Sequence, residues 1–191
     1  MERKRIRAAR FAGVIAMMVF AAAGVYAQTA TFKAPAPVLV TSFGQSQDAN
    51  FVDLLGKRLK LDHSYEMLIY AKSVDWSKYK TLIFVIGGSG KGLGSAGLDI
   101  PSEVKRCKEL IEEAKKHGCK LIAMHIGGAD RRHANSTPFL DFCKEADYMI
   151  VKEDGNKDGF FTQASKASGV PMRIVKTTME IQDILKEVFG L

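Results

Sequence analysis

Short runs of consecutive apolar residues alternate along this chain with segments of helical period, and that alternation predicts its architecture. The runs predict strands over residues 38–43, 65–71, 81–86, 120–126, 148–152 and 172–175. Most are apolar at successive positions rather than at every second one, as in parallel strands covered on both faces. Over residues 101–117, Val104, Cys107, Ile111 and Ala114 share one helical face, with Lys105, Glu109, Glu112 and Lys116 opposite. Pro101 suits the first helical position and Gly118 the stop. Val52, Leu55 and Leu59 mark an earlier helix, and Thr177 to Glu180 has capping-box spacing ahead of Ile181, Ile184, Leu185 and Val188. The link 72–80, which holds Trp76 and Tyr79, is too short for a crossover helix and predicts one helical turn. The whole pattern predicts an α/β fold: a single doubly wound, mostly parallel sheet of five or six strands, flavodoxin-like or Rossmann-like in order.

The first residues do not belong to that pattern. Arg3, Lys4, Arg5, Arg7 and Arg10 form a basic head, an uncharged apolar run occupies residues 11–26, and Val25 and Ala27 stand where a cleavage site needs small residues. This is the layout of a secretory signal peptide over residues 1–27. The run of 16 residues is shorter than the roughly 20 that span a bilayer. It implies an exported, periplasmic or extracellular protein, with membrane contact only through this segment if it stays uncleaved. Residues 28–37, with two prolines and no periodicity, read as a flexible leader, and 38–191 as one domain.

Charge changes meaning once the signal is set aside. The full chain has 28 Lys+Arg against 21 Asp+Glu, a net +7, but five of those cations and one acid lie in the first 27 residues, leaving +3. No Lys/Arg stripe interleaved with aromatics accompanies it, so nucleic acid is not an expected partner. The three cysteines are an odd number for an exported protein. Cys107 and Cys119 would lie about 15 Å apart along the intervening helix, beyond disulfide reach. Buried thiols are the simpler expectation for both and for Cys143.

In a doubly wound sheet, ligands bind beyond the carboxyl ends of the strands. The residues that follow each strand therefore carry the functional information. After the third strand comes Ile86-Gly87-Gly88-Ser89-Gly90-Lys91-Gly92-Leu93-Gly94-Ser95-Ala96-Gly97, whose exposed backbone N–H groups and single cation suit an anion. After the first comes Ser42-Phe43-Gly44-Gln45-Ser46, and after the fourth Gly127-Gly128-Ala129-Asp130-Arg131-Arg132. The ligand-binding candidates are Ser42, Gly44, Gln45, Ser46, Gly87, Gly88, Ser89, Lys91, Gly127, Gly128 and Arg131.

Named motifs fail in the glycine loop. Val85 and Gly92 stand where a P-loop needs Gly and Ser or Thr. The G-x-G-x-x-G at residues 92–97 begins six residues past the strand, too late for a dinucleotide turn. Lys91 replaces the last glycine of a G-x-S-x-G elbow, and no helix is expected directly after Ser89. Elsewhere, Asp154, Asn156 and Asp158 stand at D-x-N-x-D-G spacing and could hold calcium, although Ser165 replaces the glutamate of the twelfth position. No other cofactor is indicated. His125 with Asp130 is the catalytic candidate, as an acid–base pair if the loop folds back.

The segments IGGSGKGLGSAG, AMHIGGADRR and VKEDGNKDGFF together resemble a domain-of-unknown-function family of exported bacterial proteins, over essentially all of residues 38–191. The resemblance implies fold and location and carries no catalytic residue. The expected function is non-enzymatic binding of a small anionic ligand at the carboxyl edge. An extracytoplasmic hydrolase and an interaction module of an envelope complex are the alternatives.

Overall fold

The strands β1 (Val38–Phe43), β2 (His63–Tyr65), β3 (Thr81–Ile86), β4 (Lys120–His125), β5 (Tyr148–Lys152) and β6 (Met172–Val175) form one open sheet in a computed structural model that describes residues 32–191. The expected signal segment and residues 28–31 lie outside the described residues. All neighbouring pairs are parallel, in the order β2-β1-β3-β4-β5-β6. This is the flavodoxin-like order with one strand added beside β5, not the Rossmann-like one.

The continuous apolar runs have a direct cause. Leu82, Phe84 and Ile86 of β3 enter the core on one face, with Cys107, Leu110 and Ala114 of α3 (Ile100–Lys116), Phe139 of α4 (Thr137–Leu140) and Phe161 of α5 (Phe160–Ser168). Ile83 and Val85 enter the other, with Val52 and Leu55 of α1 (Asp48–Leu59) and Ile181 and Leu185 of α6 (Thr178–Phe189). Burying each such side chain stabilises the fold by about 1.5–3 kcal/mol, and the polar residues that central strands do bury, Thr41, Ser42, Thr81 and His125, are each hydrogen-bonded to a backbone carbonyl. Helix starts follow the expected chemistry: Asp99 accepts from Ser102 N at 2.8 Å ahead of α3, and Thr177 accepts from Glu180 N at 3.4 Å ahead of α6. All three cysteines are free and buried, and burial pushes the Cys143 thiol up to about 12. No described helix is long and apolar enough to cross a membrane.

Three segments differ from expectation. The strand expected at 65–71 ends at Tyr65, because the carbonyls beyond it are taken by side chains: Thr41 Oγ1 donates to Met67 O at 3.3 Å and Arg106 to Ile69 O at 2.8 Å. The 72–80 link contains two 3-10 turns, Ala71–Ser73 and Trp76–Lys78, rather than one helical turn. Residues 32–37, expected in the leader, lie on the domain. Phe32 stacks on Tyr148 at 4.7 Å, Ala34 N donates to Val188 O at 3.1 Å, and Thr81 Oγ1 donates to Pro35 O at 2.6 Å.

Candidate functional site

Strand order reverses between β1 and β3, since the chain leaves β1 for β2 on one side and returns to β3 on the other. The loops after these two strands therefore diverge and leave a crevice at the carboxyl edge. They are joined beneath it: Gly87 N donates to Phe43 O at 3.0 Å, and Ser89 N to Gly44 O at 2.9 Å. The glycines make this approach possible. A Cβ on Gly88 would stand 1.9 Å from Asn135 O, and one on Gly92 would stand 2.1 Å from Gln45 O. These positions exist so that backbones can touch, which leaves the loop's polar atoms largely engaged within the protein.

The helix α2 (Gly90–Ser95) begins directly after Ser89, against the expectation of a loop there. Ser89 is its N-cap, accepting from Gly92 N at 3.1 Å, and Leu93 anchors it in the core. The strand-turn-helix context of a nucleophile elbow is thus present, while Ser89 Oγ serves the helix.

Beneath the loops lies a pair that sequence reasoning missed. Glu103 and Arg106 of α3 are 0% and 1% exposed, yet both are charged residues, bonded through Arg106 Nε to Glu103 Oε2 at 2.7 Å and through an Arg106 terminal nitrogen to Glu103 Oε1 at 2.7 Å. Glu103 Oε1 also accepts from Gly44 N at 2.9 Å and from Gln45 Nε2 at 3.0 Å. Arg106 donates to Ser42 O and Ile69 O as well. The pair therefore ties α3 to the end of β1 and to the segment after β2. Burial opposes the Arg106 charge, but the Glu103 carboxylate holds its pKa above the usual value. The signal was present in the sequence as an i, i+3 opposite-charge pair on the stripe that continues through Cys107, Leu110 and Ala114.

A cavity of about 400 Å³ opens at this crevice. Gln45 and Gln47 form one wall, Met67 and Leu68 a second, and Ser89, Lys91, Gly92, Ser95 and Ala96 a third. Lys91 is the one charged residue that lines it, and it has no ionic partner among the described residues. Met67 and Leu68 were not anticipated, because the sequence placed them inside a strand.

Of the other expected site residues, Ser42, Ser46, Gly127, Gly128 and Arg131 pack with one another and with Asp48 and Asp154 rather than along the cavity. Ser42 Oγ donates to Ser46 O at 3.2 Å, Ser46 Oγ to Asp48 Oδ2 at 2.9 Å, and Arg131 Nε to the same oxygen at 2.9 Å. Gly127 packs beside Asp48 and Arg131, and Gly128 beside Asp154. Ser42 and Ser46 are fully buried, and none of this group lines the cavity. The single convergent edge of the sequence reading divides into an open crevice and a closed polar cluster.

The expected acid–base pair does not form. His125 is 1% exposed, with Nδ1 bonded to Ile86 O at 3.0 Å, its ring against Phe161 at 4.7 Å and Nε2 buried without a partner. The carbonyl acceptor places the proton of the neutral ring on Nδ1. Burial pulls its pKa below the ordinary 6.5. Asp130 is exposed on the 3-10 turn Gly128–Arg131 and bonds to no histidine.

Most side-chain oxygens of the calcium candidate are bonded within the protein, the exception being Asp154 Oδ1, which is buried without a partner. Asn156 Oδ1 accepts from Phe161 N at 2.9 Å and Thr162 N at 3.3 Å, so it caps α5. Asp158 takes Phe160 N at 3.1 Å and Arg132 at 2.6 Å, while Asp154 lies 3.2 Å from Lys152 Nζ. Among the described residues no three His, Cys, Asp or Glu side chains are grouped to hold a metal ion. A separate depression of about 560 Å³ lies between α1 and α6, where Leu54 and Met179 are more than half exposed.

A search of curated proteins finds no match to this sequence. Among solved structures, it is similar to the psychrotrophic esterase EstA from Pseudoalteromonas sp., in a form inhibited by monoethylphosphonate. The likeness has 11% identity and a TM-score of 0.34 over 79% of this chain and 94% of that one, a level that says nothing about chemistry. The family described as Domain of unknown function (DUF6305) matches residues 35–189, and the chain belongs to it.

Proposed function

We propose that the protein binds a small anionic molecule in the crevice between the β1 and β3 loops, with Lys91 as its counter-charge. The observation that carries this reading is the cavity of about 400 Å³ at the point where strand order reverses, lined by one cation that has no ionic partner among the described residues. Gln47, Ser89 and Ser95 add polar side chains around it. The basic head, apolar run and small-residue exit of residues 1–27 support action outside the cytoplasm. His125 and Asp130 give no support to a hydrolase, since His125 is buried with Nδ1 bonded to Ile86 O while Asp130 is exposed and not bonded to it.

Thermal shift and calorimetry of the full-length chain with small carboxylates and phosphate esters test the proposal. At least one of them raises the melting temperature, and Lys91→Ala weakens that compound by about tenfold or more, the worth of a hydrogen bond to a charged group. If none binds, or if the compound found binds Lys91→Ala equally well, the reading fails.

A further inference from the structure

The side-chain amide of Gln45 has only one chemically allowed orientation, and this bears on the ligand. Glu103 Oε1 is an oxygen of an ionised, arginine-paired carboxylate, so it accepts and cannot donate. The atom of Gln45 that faces it at 3.0 Å must then be Nε2. The carbonyl Oε1 is the free end of the amide, in a residue that is 1% exposed and lines the cavity. No described donor bonds to Oε1. The backbone underneath is held just as firmly: Gln45 has φ 59°, a left-handed conformation rare for a residue with a side chain, and it pairs with Gly88 across the crevice floor.

Resting on the anion-binding reading above, we infer that the ligand is a small carboxylate that also carries a hydroxyl or amino donor, the carboxylate meeting Lys91 and the donor meeting Gln45 Oε1. One lining cation balances a single negative charge, which fits a carboxylate better than a doubly ionised phosphate ester. Met67, Leu68 and Ala96 supply an apolar wall for a short aliphatic remainder. Glu103 touches no ligand in this arrangement. It is a positioning residue that turns the Gln45 acceptor outward, and Arg106 holds it there.

The test uses matched probes on the full-length chain: valerate, 2-hydroxyvalerate, norvaline and propyl phosphate, titrated by calorimetry. The expected result is that 2-hydroxyvalerate or norvaline binds about tenfold more tightly than valerate, the two arms separating a hydroxyl from an amine. That advantage disappears in Gln45→Met, which keeps the volume and removes the acceptor, whereas Lys91→Ala weakens all the acids alike. Should Gln45→Met fail to fold by circular dichroism, Gln45→Asn removes the reach of the acceptor in a residue that tolerates left-handed backbone. Equal binding of valerate and both substituted acids overturns the inference and leaves the anion reading standing, as does an advantage that survives in the Gln45 variant. Tighter binding of propyl phosphate than of any of the acids also overturns it. Binding of none of the four overturns it together with its premise.

Discussion

Arg106→Met keeps most of the buried volume of the arginine and removes its guanidinium, which makes it a sharp probe of the pair beneath the crevice. The substitution leaves Glu103, 0% exposed, with its charge met by Gly44 N, Gln45 Nε2 and the weak thiol donor of Cys107, and it takes a donor from both Ser42 O and Ile69 O. Removing one partner of a buried ion pair costs about 3–5 kcal/mol, because the remaining charge stays desolvated. For a domain of this size each kcal/mol lowers the melting temperature by about 2–4 °C, so the loss is roughly 6–20 °C. Lys115 and Glu145 provide the control. They are as close, at 2.6 Å, but each is about half exposed, and Lys115→Met should change stability by less than about 1 kcal/mol. Adding Glu103→Gln to Arg106→Met removes the stranded charge while keeping an oxygen for Gly44 N, so the double variant recovers a substantial part of the loss. It does not recover all of it, since the two carbonyls remain without their donor. Urea denaturation of the four proteins gives the energies directly. If Arg106→Met is no worse than Lys115→Met, or if Glu103→Gln recovers nothing, the argument from burial is refuted.

Other consequences are as concrete. Gly88→Ala places a methyl 1.9 Å from Asn135 O and 2.7 Å from Ser136 N, both backbone atoms that cannot swing aside. It should destabilise by at least the roughly 1–3 kcal/mol of ordinary overpacking, and a variant with wild-type urea midpoint would contradict the close approach of the two loops. His125 has a folded pKa below its ordinary 6.5, so the unfolded chain binds its proton more readily. Its contribution to stability is complete above about pH 6.5 and declines as pH falls toward the folded pKa. Midpoints measured across that window should therefore fall less steeply in His125→Gln than in the wild type; equal slopes would show that this ring is not the titrating group.

Much of the fold could be read from the sequence because burial on both faces writes itself as unbroken apolar runs. Four strands, at Val38–Phe43, Thr81–Ile86, Tyr148–Lys152 and Met172–Val175, have the expected limits. The same rule misled at residues 65–71, where Met67, Leu68 and Ile69 are apolar for two unrelated reasons. Ile69 packs against the core, while Met67 and Leu68 wall the cavity. Period cannot separate these cases, since both ask for an apolar residue and only the partners of the backbone carbonyls decide. The crevice was legible in part: Gln45, Ser89 and Lys91 stand where strand-end loops were expected to meet. Ser46 and Arg131 were equally plausible by that logic, and they point into a closed cluster because Asp48 satisfies both. Glu103 and Arg106 escaped notice because charge on a helix normally marks the solvent side, and their burial becomes apparent only when the end of β1 is seen against α3.

The packing of residues 32–37 fixes where the described chain enters the domain. Their contacts reach Tyr148 at the start of β5, Thr81 at the start of β3 and Val188 near the end of α6, all at the amino edge of the sheet. Leu191 is nearby in the chain, bonded through its N–H to Lys186 O at 3.0 Å. Residues 32–37 therefore close the edge of the sheet opposite the crevice and belong to the fold rather than to a spacer ahead of it.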